Sequence, residues 1–166
     1  IVENAGTARI RGVEIEANAR IGDATTVSAG LGYLDGKYRR LDSGVSFPLS
    51  AELPDTPPLS LTGSIEHRVA LANEGGITVR VDASYKDRTY KEPSNIRAVS
   101  QKPYVLLNGR LAYQPADERY SIALFGTNLL DERYITNGLD VASTFGIYEA
   151  YYGRPREWGV ELALKF

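Results

Sequence analysis

The feature of this chain that most constrains its fold is a strict two-residue alternation of apolar and polar side chains. The closing stretch WGVELALKF is the clearest case, because every second position is apolar. These positions are Trp158, Val160, Leu162, Leu164 and Phe166. A period of two is typical of a β-strand with one apolar face. The pattern recurs in VEIEANA, LSLTGSIEHRVAL, ITVRVDASY and YVLLNGRLAY, and it predicts an all-β chain of about seven strands in an antiparallel up-and-down order.

Short and long connections alternate between these strands. The short, turn-like segments lie near 21–25, 72–76 and 114–119. The long segments span roughly 36–58, 91–103 and 135–150. All the long segments therefore fall at one end of the predicted sheet. Long connections without structure of their own are uncommon in compact soluble domains, whereas short turns at one end and long loops at the other are typical of outer-membrane β-barrels.

The composition argues against several other functions. The net charge is −2 over 166 residues, so nothing favours nucleic-acid binding. The chain has no cysteine, which excludes disulfides and thiolate metal sites within it. The single histidine, His67, falls on an apolar strand face, and Glu14 and Glu16 have no opposed acid. We therefore predict no enzyme, no cofactor and no metal site.

The two predicted strand faces differ in character. The polar face is rich in charged and amide side chains: Glu66, Arg68, Arg80, Asp82, Asn108 and Arg110. Their number favours a wide barrel, in which they face water or a plug, over a narrow one with a tight core. Aromatic side chains collect near the strand ends: Tyr33, Tyr38, Tyr85, Tyr90, Tyr104, Tyr113, Tyr120 and Trp158. This placement predicts aromatic girdles at the two membrane interfaces, although tyrosine is also a common strand residue.

The first strand breaks the pattern near its start. Arg9 and Arg11 fall on the face that Val13 and Ile15 take later in the same strand. Either a β-bulge at Gly12 shifts the alternation, or this part of the strand lies beyond an apolar band. The sequence alone leaves both interpretations open.

Three stretches resemble one family, the TonB-dependent outer-membrane receptors. NAGTARIRGVEIEA is similar to a strand opening of these receptors, and FGTNLLDERYI is similar to their penultimate-strand signature. In this chain the signature residues are Asn128, Leu129, Asp131 and Tyr134. YYGRPREWGVELALKF resembles the closing strand, with G-x-P-R, an aromatic–glycine pair and alternation to a terminal phenylalanine. The three motifs occur in the family's order over essentially the whole chain.

The resemblance implies an architecture larger than this chain. Receptors of this family have a 22-stranded transmembrane barrel with an N-terminal plug inside it. Residues 1–166 would then be the C-terminal portion of the barrel domain, without the plug, the N-terminal strands or the TonB box that contacts TonB. The absence of an initial methionine and the odd strand count agree with a piece of a longer protein. The closing strand would pair with the first barrel strand and remove the open edge.

The resemblance also implies a function, a location and partners. The parent protein would reside in the bacterial outer membrane and take up ferric siderophores, or a similar large solute, with energy supplied through the TonB complex. TonB would act through the missing N-terminal part. The barrel-assembly machinery would read the alternating set on the closing strand that ends at Phe166. Outer-membrane lipid and lipopolysaccharide would surround the barrel.

The long segments contain candidates for ligand contact. Basic side chains that could meet an anionic ferric chelate are Arg39, Arg40, Lys91, Arg97 and Lys102. Aromatic side chains that could pack against a catechol or porphyrin ring are Tyr148, Tyr151 and Tyr152. The alternative for each residue is a solvated loop surface that touches lipopolysaccharide at most.

Two other classes of protein fit parts of the pattern. One is a small self-sufficient outer-membrane barrel that serves as an adhesin or structural protein. The other is a soluble β-barrel binding protein of the lipocalin type, which predicts apolar faces that point inward. The long loops, the closing strand and the three motifs favour the membrane receptor.

Overall fold

The computed structural model describes residues 6–72 and 74–165, and its main feature is one seven-stranded sheet. The sheet contains, in spatial order, β1 (Gly6–Ile21), β2 (Thr25–Leu41), β3 (Leu59–Ala70), β4 (Gly76–Lys86), β7 (Tyr104–Gln114), β8 (Tyr120–Thr127) and β11 (Glu157–Leu164). All neighbours are antiparallel, and the spatial order follows the chain. The predicted all-β antiparallel arrangement is therefore confirmed. Within the described residues the sheet is open, with β1 and β11 at its edges.

The remaining elements lie in two of the long connections. β5 (Thr89–Tyr90) pairs with β6 (Ser100–Gln101), and a short 3₁₀ helix (Arg97–Val99) lies between them in the chain. β9 (Ile135–Val141) pairs with β10 (Ile147–Tyr152) across the single turn of α1 (Ala142–Phe145). The three short connections fall where they were predicted. The strands therefore have a short-turn end, where these connections lie, and a long-loop end opposite to it. In the described part of the chain, no helix is long and apolar enough to cross a membrane.

The register places apolar side chains of successive strands side by side on one face. Val27 of β2 lies opposite Ile65 of β3, which lies opposite Val81 of β4. On the last two strands Leu124 lies opposite Val160. Val27 is partly exposed, and the other four side chains are 37–67% exposed, because no second layer covers them. Among the described residues the buried apolar side chains are Ala51, Val99 and Ala123. The apolar face therefore needs an apolar surrounding to be stable.

Ion pairs between neighbouring side chains organise the opposite, polar face. Arg80 lies 2.7 Å from Asp82 on its own strand and 3.5 Å from Glu66 on β3. Arg110 of β7 reaches across β8 to Glu161 of β11 at 2.8 Å. All these side chains are partly exposed, as expected for a face that lines a wide and hydrated interior.

Aromatic side chains mark both ends of the apolar face. Tyr33, Tyr85 and Trp158 lie on this face towards the long-loop end. Tyr113 and Tyr120 lie on it at the short-turn end, with ring centroids 6.3 Å apart. The register places three of the predicted girdle residues elsewhere. Tyr38 and Tyr104 belong to the polar face, and Tyr90 lies in β5.

The first hairpin extends far beyond the rest of the sheet. β1 and β2 contain 16 and 17 residues, whereas β4 and β7 contain 11 each. The first long connection therefore begins after Leu41 and not at residue 36 as predicted, because pairing with β1 holds residues 36–41 in the strand. The register is continuous through Gly12 and shifts between Thr7 and Ala8. The interpretation with a bulge at Gly12 is therefore wrong. Arg9 and Arg11 lie on the same face as Val13, beyond the apolar band of that face.

Candidate functional site

The three long connections pack together over the long-loop end, and we call this unit the outer cap (residues 42–58, 87–103 and 128–156). The first and second connections share a set of hydrogen bonds. The Asp55 N–H donates to the Tyr90 carbonyl at 2.9 Å. The Asn95 side chain accepts from the Glu52 N–H at 2.6 Å and donates to the Glu52 carbonyl at 3.0 Å. Two polar anchors therefore fix one loop against the other.

The second and third connections share a small buried centre. Val99 is fully buried, and it lies so close to Gly138 of β9 that a Cβ at Gly138 would come within 2.7 Å of the Val99 Cβ. Gln101, which is also buried, accepts a short hydrogen bond from the Ile135 N–H. Glu92 accepts from the Asp140 N–H at 2.8 Å. These contacts hold the β9–β10 hairpin against the 3₁₀ helix.

The family signature residues build the base of the third connection. Asn128 is buried, and its side chain accepts from the Glu132 N–H at 2.9 Å. The same side chain donates to the Glu132 carbonyl at 2.9 Å and to the Arg154 carbonyl at 3.1 Å. It thereby ties the outgoing arm of the loop to the returning arm. Its backbone has φ of 48°, a left-handed conformation that asparagine tolerates better than most residues.

Two further contacts complete this base, which we call the closing clasp (Asn128, Asp131, Tyr134, Gly153, Arg154 and Arg156). Asp131 accepts from the Arg156 N–H at 3.2 Å and lies 3.6 Å from its guanidinium. The Gly153 N–H donates to the Tyr134 carbonyl at 2.8 Å, and a Cβ at Gly153 would come within 2.0 Å of the Tyr134 ring. That ring stacks on Tyr104 with centroids 5.0 Å apart.

The predicted aromatic ligand contacts lie on the exposed β10 strand of the outer cap. Tyr148, Tyr151 and Tyr152 are each about half exposed. The Tyr151 hydroxyl donates a short hydrogen bond to Glu149, and this bond raises the pKa of Tyr151. The Arg133 guanidinium lies over the Tyr152 ring, and its central carbon is 4.2 Å from the ring centroid. The aromatic side chains therefore remain available at the surface.

The predicted basic ligand contacts divide into separate groups. Arg97 is exposed on the 3₁₀ helix, which packs against β9 and β10, so it lies near the aromatic strand. Arg39 is the extra residue at the register shift of β2 and is exposed, whereas Arg40 pairs with Asp42 at 2.9 Å. In the described part of the chain no hydrogen bond or salt bridge joins these β2 arginines to β10. The Lys91 side chain is almost buried and pairs with Asp55, so its charge stabilises the outer cap and is not presented at the surface.

A shallow cavity of about 300 Å³ opens between the second and third connections. Its lining includes Gln101, Lys102, Glu132, Arg133 and Tyr152. Arg133 was not predicted as a ligand contact, although it lies within the recognised signature and lines this cavity. The cavity combines two cations, a carboxylate and an aromatic ring. Within residues 6–72 and 74–165, no group of three or more His, Cys, Asp or Glu side chains is placed to hold a metal ion.

The closing strand has the alternation that was predicted for it. Trp158, Val160, Leu162 and Leu164 lie on the apolar face, and each is at least 60% exposed. Phe166, the last member of the predicted assembly signal, lies outside the described residues. His67 hydrogen-bonds to the Thr25 hydroxyl at 2.8 Å on the apolar face near a short turn, which agrees with a structural histidine.

Comparison with known proteins decides the family. The model of the "TonB dependent receptor-like, beta-barrel" family matches residues 1–129. This chain belongs to the TonB-dependent receptor family. Receptors of this family are transport proteins of the Gram-negative outer membrane, so the apolar face of the sheet faces lipid, the polar face lines the barrel interior, and the soluble alternative is wrong. We use the terms lipid face and lumen face from here on.

Solved receptor structures have the same fold as this chain. The ferric yersiniabactin uptake receptor FyuA from Yersinia pestis aligns with a TM-score of 0.84 at 22% identity, over 98% of this chain and 24% of its own. The siderophore receptor PiuA from Acinetobacter baumannii aligns with a TM-score of 0.73 at 23% identity, over 93% of this chain and 21% of its own. The chain therefore spans about a quarter of the length of these receptors.

Proposed function

We propose that this chain is the C-terminal portion of the 22-stranded barrel of a receptor for ferric siderophores or a similar large solute. The receptor would move this solute across the outer membrane with energy supplied through the TonB complex. The observation that carries the proposal is the outer cap. It presents cationic and aromatic side chains around a cavity at the long-loop end of a barrel wall. The two receptors described above, which share this fold, are a ferric yersiniabactin uptake receptor and a siderophore receptor.

The chemistry of the cap suits an anionic chelate with planar groups. Guanidinium groups form charge-assisted, bidentate hydrogen bonds with carboxylate or catecholate oxygens. The rings of Tyr148, Tyr151 and Tyr152 offer flat surfaces for stacking. The Arg133 guanidinium lies against the Tyr152 ring, and Arg97 belongs to the 3₁₀ helix that packs against β9 and β10. Arg39 and Arg40 supply a second basic group on β2. We therefore assign ligand contact first to the β10 side of the cap.

The other steps of the transport cycle would depend on the plug and the TonB box, which receptors of this family have in addition to the barrel. TonB would act on the plug and the TonB box, and the lumen face of β1–β4, β7, β8 and β11 would supply part of the wall around the plug. The barrel-assembly machinery would recognise the closing strand through Trp158, Val160, Leu162, Leu164 and Phe166.

Uptake in a deletion strain tests this function. The full-length gene is deleted, and entry of radioactive iron is measured with a panel of ferric siderophores, haem and other chelates. We expect the loss of uptake of one chelate class, restored by the full-length gene in a TonB-positive strain and not in a TonB-negative one. Unchanged uptake of every chelate, or restoration without TonB, would overturn the proposal.

Substitutions in the cap test the assigned contacts. Arg97→Ala combined with Tyr148→Ala should weaken binding of the transported chelate about tenfold or more, because a charge-assisted hydrogen bond and a stacking surface are lost. Arg20→Ala removes the same charge at the short-turn end and should leave binding unchanged. Equal affinity of both variants in a fluorescence titration would exclude the β10 side as the ligand site.

A further inference from the structure

The lipid face changes from apolar to cationic where β1 and β2 extend beyond the other strands. Along this face Val13 lies opposite Tyr33, Arg11 opposite Asp35 and Arg9 opposite Lys37. The unbroken register from Ala8 to Ile21 keeps these four added side chains on the same face as Val13 and Tyr33. Pairing of β2 with β3 ends at Tyr33 and Leu59, so only the first hairpin continues at this height.

The cationic group has a surplus of positive charge. Its single carboxylate, Asp35, pairs with Lys37 at 2.8 Å. Arg9 and Arg11 form no salt bridge with the described residues, and both are exposed. Two guanidinium groups therefore remain for an external anion.

The height of these arginines above the apolar band matches a lipid headgroup layer. Arg11 and Arg9 precede Val13 in the chain by two and four residues, or about 7 and 13 Å along a strand. A strand tilt of about 40° reduces these heights to about 5 and 10 Å. The headgroup region on each side of a bilayer is about 5–8 Å thick. Arg11 thus lies within this layer, and Arg9 lies just above it, from where its long side chain can extend down to the headgroups.

We propose that Arg9, Arg11 and Lys37 form a binding site on the lipid face for the phosphate groups of lipid A, the membrane anchor of lipopolysaccharide. A guanidinium binds a phosphate through two parallel hydrogen bonds, and an ammonium adds a point charge. Tyr33 and Val13 lie directly below, where the acyl chains and the sugar–acyl boundary of the lipid would pack. The site rests on the outer-membrane orientation of the sheet and is independent of the siderophore proposal.

Lipid binding by the full-length protein in detergent tests the site. The probes are bisphosphorylated lipid A and the same lipid after enzymatic removal of both phosphates, and bound lipid is counted by native mass spectrometry. The wild-type protein should prefer the phosphorylated probe at least tenfold. Arg9→Ala/Arg11→Ala should lose this preference, and Arg9→Lys/Arg11→Lys should retain most of it. Arg20→Ala/Arg119→Ala, which removes two charges at the short-turn end, should behave as the wild type.

Several outcomes would overturn the site. These are equal binding of the two probes by the wild type, an unchanged preference in Arg9→Ala/Arg11→Ala, and full competition by phosphatidylglycerol, which would indicate a general anionic surface. Loss of iron uptake with intact lipid preference would instead place the arginines in the solute path. Should the double alanine variant not give the heat-modifiable gel band of a folded barrel, the single Arg9→Gln and Arg11→Gln variants decide, each with an expected loss of about threefold or more.

Discussion

Asn128 is the residue on which the hydrogen bonds of the closing clasp converge. Its side chain makes three hydrogen bonds to the backbone of Glu132 and Arg154, and it is buried. Asn128→Ala would leave one N–H and two carbonyl groups without these partners and would place alanine at a φ of 48°. We expect the local free energy of opening of residues 128–156 to fall by about 2 kcal/mol.

Hydrogen exchange of the full-length protein measures this local opening. Asn137→Ala is the matched control, because Asn137 is exposed and its side chain accepts a single local hydrogen bond from the Gly138 N–H. The control should change exchange by less than about 0.5 kcal/mol. Equal protection of residues 128–156 in the two variants would show that Asn128 does not hold the loop.

The signature residues show which features of the closing clasp the sequence could predict and which it could not. Asn128, Asp131 and Tyr134 were recognisable as a family motif. Their physical roles were not, because the partners of Asn128 and Tyr134 include Arg154 and Gly153, about twenty residues later in the chain. Only the folded loop brings these partners together. Likewise, the burial of Lys91 against Asp55 depends on contact between two different loops.

At the scale of elements, the outer cap behaves as a small packed unit on an otherwise uncovered sheet. Val99 is its fully buried aliphatic side chain, next to Gly138. Val99→Ala removes two buried carbon atoms, which costs about 2 kcal/mol at about 0.8 kcal/mol for each, plus a cavity contribution. We expect faster hydrogen exchange at both 97–101 and 135–141, since the two segments share this contact.

Leu49→Ala provides the control for the cap, because Leu49 is an apolar loop residue that is 52% exposed. It should leave exchange in both segments unchanged. Faster exchange in only one of the two segments after Val99→Ala would contradict a shared centre, and the loops would then be independent.

The strands were predictable because each has one lipid face and one lumen face, which alternation records directly. The prediction failed where this contrast ends. Residues 36–41 of β2 lie above the apolar band, so their apolar pattern stops while their pairing with β1 continues. The β9–β10 hairpin was read as a loop because neither of its strands alternates over a lipid face.

At the scale of the whole molecule, the sheet divides an apolar surrounding from a charged interior. The antiparallel fold followed from the alternation of apolar and polar residues, and the family and the outer-membrane location followed from three motifs in order. The solute did not, because the contacts that we propose for Arg97, Arg133 and the tyrosines of β10 depend on how the folded cap arranges these side chains. No sequence periodicity reports such an arrangement.

Accessibility along β3 and β4 tests the division between lipid and lumen most directly. Single cysteines are placed in the full-length protein, after removal of any other cysteine, at Val79, Val81 and Ala83 and at Thr62, Ser64 and Ser84. Spin labels attached to these cysteines measure how accessible each position is to oxygen, which concentrates in lipid, and to a water-soluble nickel chelate. We expect the first three positions to favour oxygen and the last three to favour nickel. Equal accessibility of the two sets, or the reverse order, would contradict the assignment of the two faces on which the account depends.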